Sequence, residues 1–281
     1  MHELKPTLTN IKKVVLKPYE PEPYARYIIR HLSVLFTWIF VRTPISANHV
    51  TLMQEIIGVS GCILIGFADP FYPIIGVFLL QLGYILDCSD GEVARWKNQQ
   101  SINGVFLDLV GHLIVIPGYM FALGFGVWMR SGHTEALIAG FIAALFGLRL
   151  EKHTLSAVVE SLITETEKPQ YDFTYLSQRV NQLDGYINWG SSGSIGRRSF
   201  IQILFRYPDS MNIITITVLL DYLLTGISIN GTMYSISYII IMTYGIVLFF
   251  GRLIQIYRLF KNNLVEKRFL QILKIARNIS K

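Results

Sequence analysis

Apolar residues in this chain come in long blocks rather than at a regular short period. Six blocks approach the roughly 20 residues that a helix needs to cross a hydrocarbon core: 50–68, 71–86, 104–128, 134–149, 211–228 and 233–251. The second and fourth are short for that purpose. Ahead of the first block, YARYIIRHLSVLFTWIFVRT, residues 24–43, sets arginines at 26, 30 and 42 around an apolar and aromatic body. Such a makeup suits a helix lying along a membrane surface. A seventh span competes for this stretch, but Arg26, Arg30 and His31 leave its apolar part too short. Between 150 and 210 a polar insertion interrupts the blocks. Within it LSAVVESLITE predicts helix, and GSSGSIG, residues 190–196, reads as a flexible loop. With Arg197 and Arg198 that loop is either a phosphate holder or an ordinary basic loop at a membrane surface.

Composition agrees with the pattern. The chain of 281 residues is 52% hydrophobic and only 16% charged, against about 25% charged in an ordinary soluble domain. The predicted fold class is an all-α integral membrane protein, a six-transmembrane-helix bundle with an N-terminal amphipathic interfacial helix. Three parts follow: a cytoplasmic N-terminal segment, 1–48; a six-span membrane domain, 49–252, carrying the insertion 150–210; and a basic amphipathic tail, 253–281. The tail fits anionic headgroups, a partner subunit or a solvated helix end. The polar opening MHELKPTLTNIKKVV predicts no cleavable signal peptide. Cys62 and Cys88 show no metal or redox spacing and read as packed thiols.

Charge sets the orientation. Of the 25 Lys and Arg residues, all but Arg130 fall on one side of the predicted spans. The excess of basic residues on the cytoplasmic side of membrane proteins then places both termini in the cytoplasm. The net charge of +6 suits the inner leaflet, and no basic patch of the nucleic-acid-binding kind occurs.

The stretch DCSDGEVARWKNQQSINGVFLDLVGH, residues 87–112, carries the chemistry. Asp87, Asp90, Gly91, Ala94 and Arg95 share roughly one helical face at the cytoplasmic end of the second span. Gly104, Asp108 and His112, spaced by four, share a face of the third. Charged groups at membrane depth are costly and usually mark function. Three carboxylates aimed at one place need a cation, and hard Mg²⁺ or Mn²⁺ prefer such oxygen ligands, commonly shared with substrate phosphates. Arg95 can hold a phosphate oxygen. The ensemble reads as a metal-assisted phosphoryl-transfer site.

The spacing Asp87-x-x-Asp90-Gly91-x-x-Ala94-Arg95, eight residues, Gly104, three residues, Asp108 resembles the signature of the CDP-alcohol phosphotransferase (CDP-alcohol phosphatidyltransferase) family. Seven fixed positions arise by chance on the order of once in 10⁹ starts at average residue usage. Asn48-His49-Val50-Thr51, just before the first span, is similar to that family's Asn-x-x-Thr entry. The resemblance covers about residues 25–150 and leaves the insertion and tail unexplained. It implies that an acceptor hydroxyl attacks the β-phosphorus of a CDP-linked alcohol, CDP-diacylglycerol foremost, releasing CMP. It further implies that Asp87, Asp90 and Asp108 hold Mg²⁺ or Mn²⁺ against the pyrophosphate. Gly91, Ala94, Arg95 and Gly104 then shape the cytidine pocket, with Asn48 and Thr51 beside it, and a homodimer is the implied assembly.

The sequence departs from the family at one place: His112 stands where the signature has a fourth aspartate, the general base. Three readings are open. His112 is itself the base, beside Asp108; or it joins Asp87, Asp90 and Asp108 as a metal ligand; or catalysis is lost and the chain only binds CDP-lipids or a partner. A neutral imidazole is a common base, and three acids instead of four suit one divalent ion rather than two. A membrane carrier is the remaining class, although its acids would spread toward the midplane rather than gather at one rim.

Weaker signals lie elsewhere. Glu55 either snorkels from the cytoplasmic end of its span or joins the site, and Asp221 pairs with a neighbouring helix. Arg149, Lys152 and His153 either receive a phosphate of the acceptor or follow the charge rule. Small residues in AGFIAALFG allow close helix packing, within the bundle or across a dimer.

Overall fold

The computed structural model of the protein describes residues 6–15, 23–148, 207–224, 226–229, 232–267 and 269. The insertion's helix and glycine loop, Arg149, Lys152, His153, Arg197 and Arg198, and most of the tail lie outside the described residues. The described chain runs α1 (Leu8–Val15), a π-helical turn (Ala25–Ile29) leading into α2 (Arg30–Phe40), α3 (Ala47–Ile65), α4 (Phe71–Lys97), α5 (Ile102–Ser131) and α6 (Thr134–Gly147). It resumes with α7 (Asp209–Leu223), β1 (Ile227–Ile229), β2 (Thr232–Tyr234) and α8 (Ile236–Lys261). Contacts divide the chain into Met1–Leu148 with Arg206–Ile246, and Arg149–Phe205 with Val247–Lys281. The first unit carries the site. In the second, α8 continues to Lys261, with Arg252 donating to Gln255 Oε1 at 2.6 Å.

Local chemistry explains where these helices begin and end. Ser46 accepts from the His49 backbone N–H while the His49 ring accepts from that of Ser46, a reciprocal cap on α3. Ser101 caps α5 by accepting from Gly104 N at 3.0 Å. Asn98 closes α4 in the left-handed region, φ 54°, so four residues, 98–101, reverse the chain into α5. That tight reversal sets the two acid-bearing faces side by side. Asp221 accepts from the backbone N–H groups of Ile236 and Ser237, the latter at 3.0 Å, at the start of α8.

Among the described residues, α3, α4, α5 and α8 are long and apolar enough to cross a membrane. The second apolar block is longer than its hydropathy indicates, because α4 carries the polar motif as continuous helix for 27 residues. The fourth and fifth blocks yield shorter helices, with 14 residues in α6 and 15 in α7. At 1.5 Å per residue each is about 20 Å long, short of a roughly 30 Å core. The fifth block breaks where Gly226, φ 96°, turns the chain into the antiparallel hairpin β1–β2, with Ile227 opposite Tyr234. The all-α expectation holds, with this short hairpin beside the helices. A Cβ at 226 would meet the Tyr234 carbonyl oxygen at 2.6 Å, so glycine is required at this turn.

α4 is the middle of the first unit, packed by α1, α2, α3 and α7. Its contact with α3 is made through glycine: a Cβ at Gly61 would lie 2.8 Å from the Gly76 carbonyl oxygen, and one at Gly76 2.7 Å from that of Gly61. Gly124 of α5 and Gly140 of α6 meet in the same way, with Gly124 2.5 Å, at an added Cβ, from the Ala136 carbonyl. Gly245 of α8 faces Ala139. The small residues of α6 thus serve packing inside the bundle. Cys62 and Cys88 are buried free thiols.

The helix before the bundle is docked by polar side chains. Glu92 of α4 is fully buried, yet Ser33 Oγ and Thr37 Oγ1 donate to its two oxygens at 2.8 and 2.7 Å, and Arg30 Nη1 to Oε1 at 3.1 Å. Lys97 Nζ donates to the carbonyls of Phe40, Thr43 and Ile45 at 3.0, 2.7 and 2.7 Å, closing the C-terminal end of α2. Removing one partner of a buried ion pair typically costs about 3–5 kcal/mol. Glu92→Ala should therefore lower the melting temperature in detergent by several degrees and expose α2 to protease, whereas Ser33→Ala should show a smaller fraction of both effects.

Candidate active site

Three helices contribute to one polar cluster. On α4, Asp87 and Asp90 stand one turn apart; on α5, Asp108 and His112 do the same. Ligand atoms of Asp87, Asp108 and His112 all lie within 4.8 Å of one another. His112 Nδ1 is 2.8 Å from the Asp108 carbonyl oxygen and 3.2 Å from its Oδ1. The Asp108 carbonyl can only accept, so Nδ1 carries a proton, and in the neutral ring the lone pair then lies on Nε2. That nitrogen faces Asp87 Oδ1 at 4.0 Å.

The third helix, α3, holds the acids in place. Thr51 Oγ1 donates to Asp90 Oδ2 at 2.6 Å, and Gln54 Nε2 to Asp87 Oδ1 at 3.2 Å. Asp90, tied to Thr51, stands outside the Asp87–Asp108–His112 trio. Asn48 reaches Gly104: a Cβ there would lie 3.1 Å from Asn48 Oδ1 and 3.3 Å from Ser101 Oγ. The Arg95 guanidinium folds over Gly91, 3.3 Å from the place a Cβ would occupy. Ala94 packs against the apolar cluster of Phe40, Ala47, Val50, Leu86 and Val93. The structure therefore assembles the expected residues as one trio, a Thr51–Asp90 pair, an Asn48–Gly104 pair and an Arg95–Gly91 pair.

Several contributors were not read from the sequence. Gln54 follows Thr51 by three on α3, so helical spacing alone could have found it. Tyr207 lies edge-on to the His112 ring at 5.1 Å, and Tyr84 edge-on to Tyr207 at 5.3 Å, with Tyr24 stacked on Tyr84 at 6.3 Å. Nothing in the pattern links Tyr207 to a histidine so far upstream in the chain.

The trio fits a hard divalent ion. Ions of this class hold donors at about 2.1 Å, so opposite ligand atoms stand about 4.2 Å apart. The observed spread needs only small side-chain adjustments to close on such an ion.

Glu55 of α3 also reaches the cluster, packing against Gly111 of α5. A Cβ at Gly111 would lie 2.6 Å from both Cγ and Oε1 of Glu55. Gly111→Ala should lower the melting temperature, because the added methyl overlaps that side chain. On a Glu55→Ala background the same change should cost less, with a coupling of about 0.5–3 kcal/mol. Equal effects in both backgrounds would remove the contact.

Residues 44–165 match the family model described as CDP-alcohol phosphatidyltransferase. The matched stretch takes in α3 to α6, and with them every residue of the cluster except Tyr24 and Tyr207. No curated protein matches the chain significantly. Four apolar helices of spanning length, the spacing of the acids and this match agree: the chain is a multi-pass integral membrane protein whose residues 44–165 are similar to the CDP-alcohol phosphatidyltransferase family, transferases of phosphoalcohol groups in lipid biosynthesis.

Proposed function

We propose that the protein transfers the phosphoalcohol group of a CDP-alcohol, CDP-diacylglycerol foremost, to an acceptor hydroxyl with release of CMP, and that His112 is the base. The observation that carries this reading is the His112 ring, whose Nδ1 is held by Asp108 while Nε2 is left toward Asp87. Asp87, Asp90 and Asp108 would hold Mg²⁺ or Mn²⁺, which when bound offsets the charge of the pyrophosphate. Arg95, lying over Gly91, offers its guanidinium to a phosphate oxygen or the cytidine, and Asn48, Thr51, Ala94 and Gly104 line the cytidine side. The acceptor oxygen forms a bond to the β-phosphorus as the bond from that phosphorus to the CMP oxygen breaks. The acceptor proton passes to Nε2 of His112. Asp108 keeps the ring in the tautomer that can take it. Tyr207, edge-on to the ring, limits its rotation.

A ligand role for His112 is the second reading, favoured by its place in the trio. One lone pair cannot serve both uses at once. An inactive lipid-binding homologue is the third, and three acids kept beside an imidazole with a free lone pair argue for turnover instead. The six-span topology with both termini and the site at the cytoplasmic face rests on the distribution of Lys and Arg, and α2 would lie at that surface. The insertion 150–210 is where acceptor choice would be made, and pairing into a homodimer follows the family.

The test is CMP release by purified protein from CDP-diacylglycerol with Mn²⁺ or Mg²⁺, against inositol phosphate, glycerol phosphate, serine and cell extract as acceptors. Asp108→Ala should abolish it. His112→Ala should lower kcat by about 10²–10⁴-fold with Mn²⁺ affinity within about twofold of the native chain, and His112→Asp should recover a large part of the rate. Loss of Mn²⁺ affinity in His112→Ala would make it a ligand instead. A fully active His112→Ala would take away both roles.

A further inference from the structure

We infer that the end of the bundle away from the acids holds a second binding site, for a zwitterionic phosphodiester headgroup, with Arg130 and Ser237 on its phosphate and Asp221 on its ammonium group. The inference does not depend on the transfer reaction proposed above.

The site is a cavity of about 270 Å³ within the first unit, and Arg130, Asp221, Tyr222, Tyr234, Ser235 and Ser237 are among its lining residues. Arg130 lies in the last turn of α5, Asp221 in the last turn of α7, Tyr234 in β2 and Ser237 at the start of α8, so separate elements converge there. Arg130 stands about 27 Å along α5 from His112, at 1.5 Å per residue, which keeps the cavity apart from the acid cluster. It is also the one basic residue that the spans expected from the sequence leave at this end. The volume falls just under the roughly 300–1,000 Å³ of sites for drug-sized ligands, which suits a headgroup and not a whole lipid.

The polar groups at the cavity define the ligand. Ser237 is 1% exposed, yet its Oγ has no hydrogen-bond partner among the described residues. A helical serine can return its hydroxyl to the carbonyl four residues back, but here that residue is Met233, in β2. Buried polar atoms are seldom left without a partner, so an open hydroxyl lining a cavity marks a place for a ligand. Arg130 donates through Nη1 to the Phe67 carbonyl at 3.1 Å, which engages one of a guanidinium's five N–H groups. Gly126 leaves that group room, since a Cβ there would fall 3.3 Å from Nη1. A guanidinium and a hydroxyl suit phosphate oxygens. A plain anion, however, would meet the carboxylate of Asp221, which accepts from the backbone N–H groups of Ile236 and Ser237. A ligand with an ammonium beside its phosphate answers both charges. Tyr72 and Tyr222 are exposed at this end, as aromatic residues are where a bundle meets headgroups, and this favours a lipid as the source.

The experiment reads the melting temperature of the full-length protein in detergent as dioleoyl phosphatidylethanolamine, dioleoyl phosphatidylglycerol or glycerophosphoethanolamine is titrated in, since a ligand of the folded state raises it. Phosphatidylethanolamine should raise it saturably in the native protein, with phosphatidylglycerol binding about tenfold or more weakly. Ser237→Ala should bind phosphatidylethanolamine about tenfold or more weakly, while its lipid-free melting temperature is unchanged or higher, because an unpaired buried hydroxyl is gone. Arg130→Gln should weaken binding by at least as much. Glycerophosphoethanolamine acting at the lipid's own concentrations would support the same contacts with a soluble headgroup as ligand; no effect from it would support the lipid. Ser237→Ala with affinity within about twofold of native would overturn the inference. So would phosphatidylglycerol binding as tightly as phosphatidylethanolamine, or native protein that neither ethanolamine compound stabilises.

Discussion

The backbones of α3 and α4 touch at Gly61 and Gly76, and the polar chemistry of the protein depends on that contact. In an apolar medium, helices gain little from burying apolar surface against one another, so close approach through small residues and hydrogen bonds between helices carry much of their association. Glycine at the crossing lets α3 lie near enough to α4 for short side chains to bridge. Gln54 and Thr51, about two and three turns of α3 from the crossing, then reach Asp87 and Asp90. A larger residue at the crossing would leave those acids without their donors.

The same helix, α4, carries buried acids handled in two opposite ways. Glu92 is fully buried and receives two hydroxyls and a guanidinium, which together satisfy both its oxygens. It behaves as a structural clasp for α2. Asp87 and Asp90 each receive one neutral donor from α3 and face further acids across the cluster. Isolated buried charge is unfavourable unless compensated, so the two arrangements separate an acid whose charge is paired within the fold from acids gathered beside one another. Sequence position does not separate them, since Glu92 sits inside the motif itself.

The imidazole of His112 is fixed from two sides. The ring is held by its own helix through the Asp108 carbonyl, and by Tyr207 from the segment beyond the insertion.

Much of this was legible in the sequence because it depends on local periodicity. Hydropathy blocks marked the helices, and spacings of three and four put Asp87 with Asp90, and Asp108 with His112, on single faces before any fold was known. Asp221, at membrane depth, was expected to pair with a neighbouring helix, and it caps α8. The exact helix limits were not legible, since hydropathy falls when polar motif residues enter although the backbone hydrogen bonds continue, as in α4. Nor could the pattern decide between Glu55 snorkelling and Glu55 joining the site, or place Tyr207 beside His112. Those depend on which glycine of which helix faces which side chain, and contacts between distant parts of a chain leave no period to read. The sequence by itself determined a helical membrane protein with its acids gathered on two faces. Only the tertiary structure decided that a third helix completes the cluster, because it takes a glycine crossing to bring that helix within a hydrogen bond.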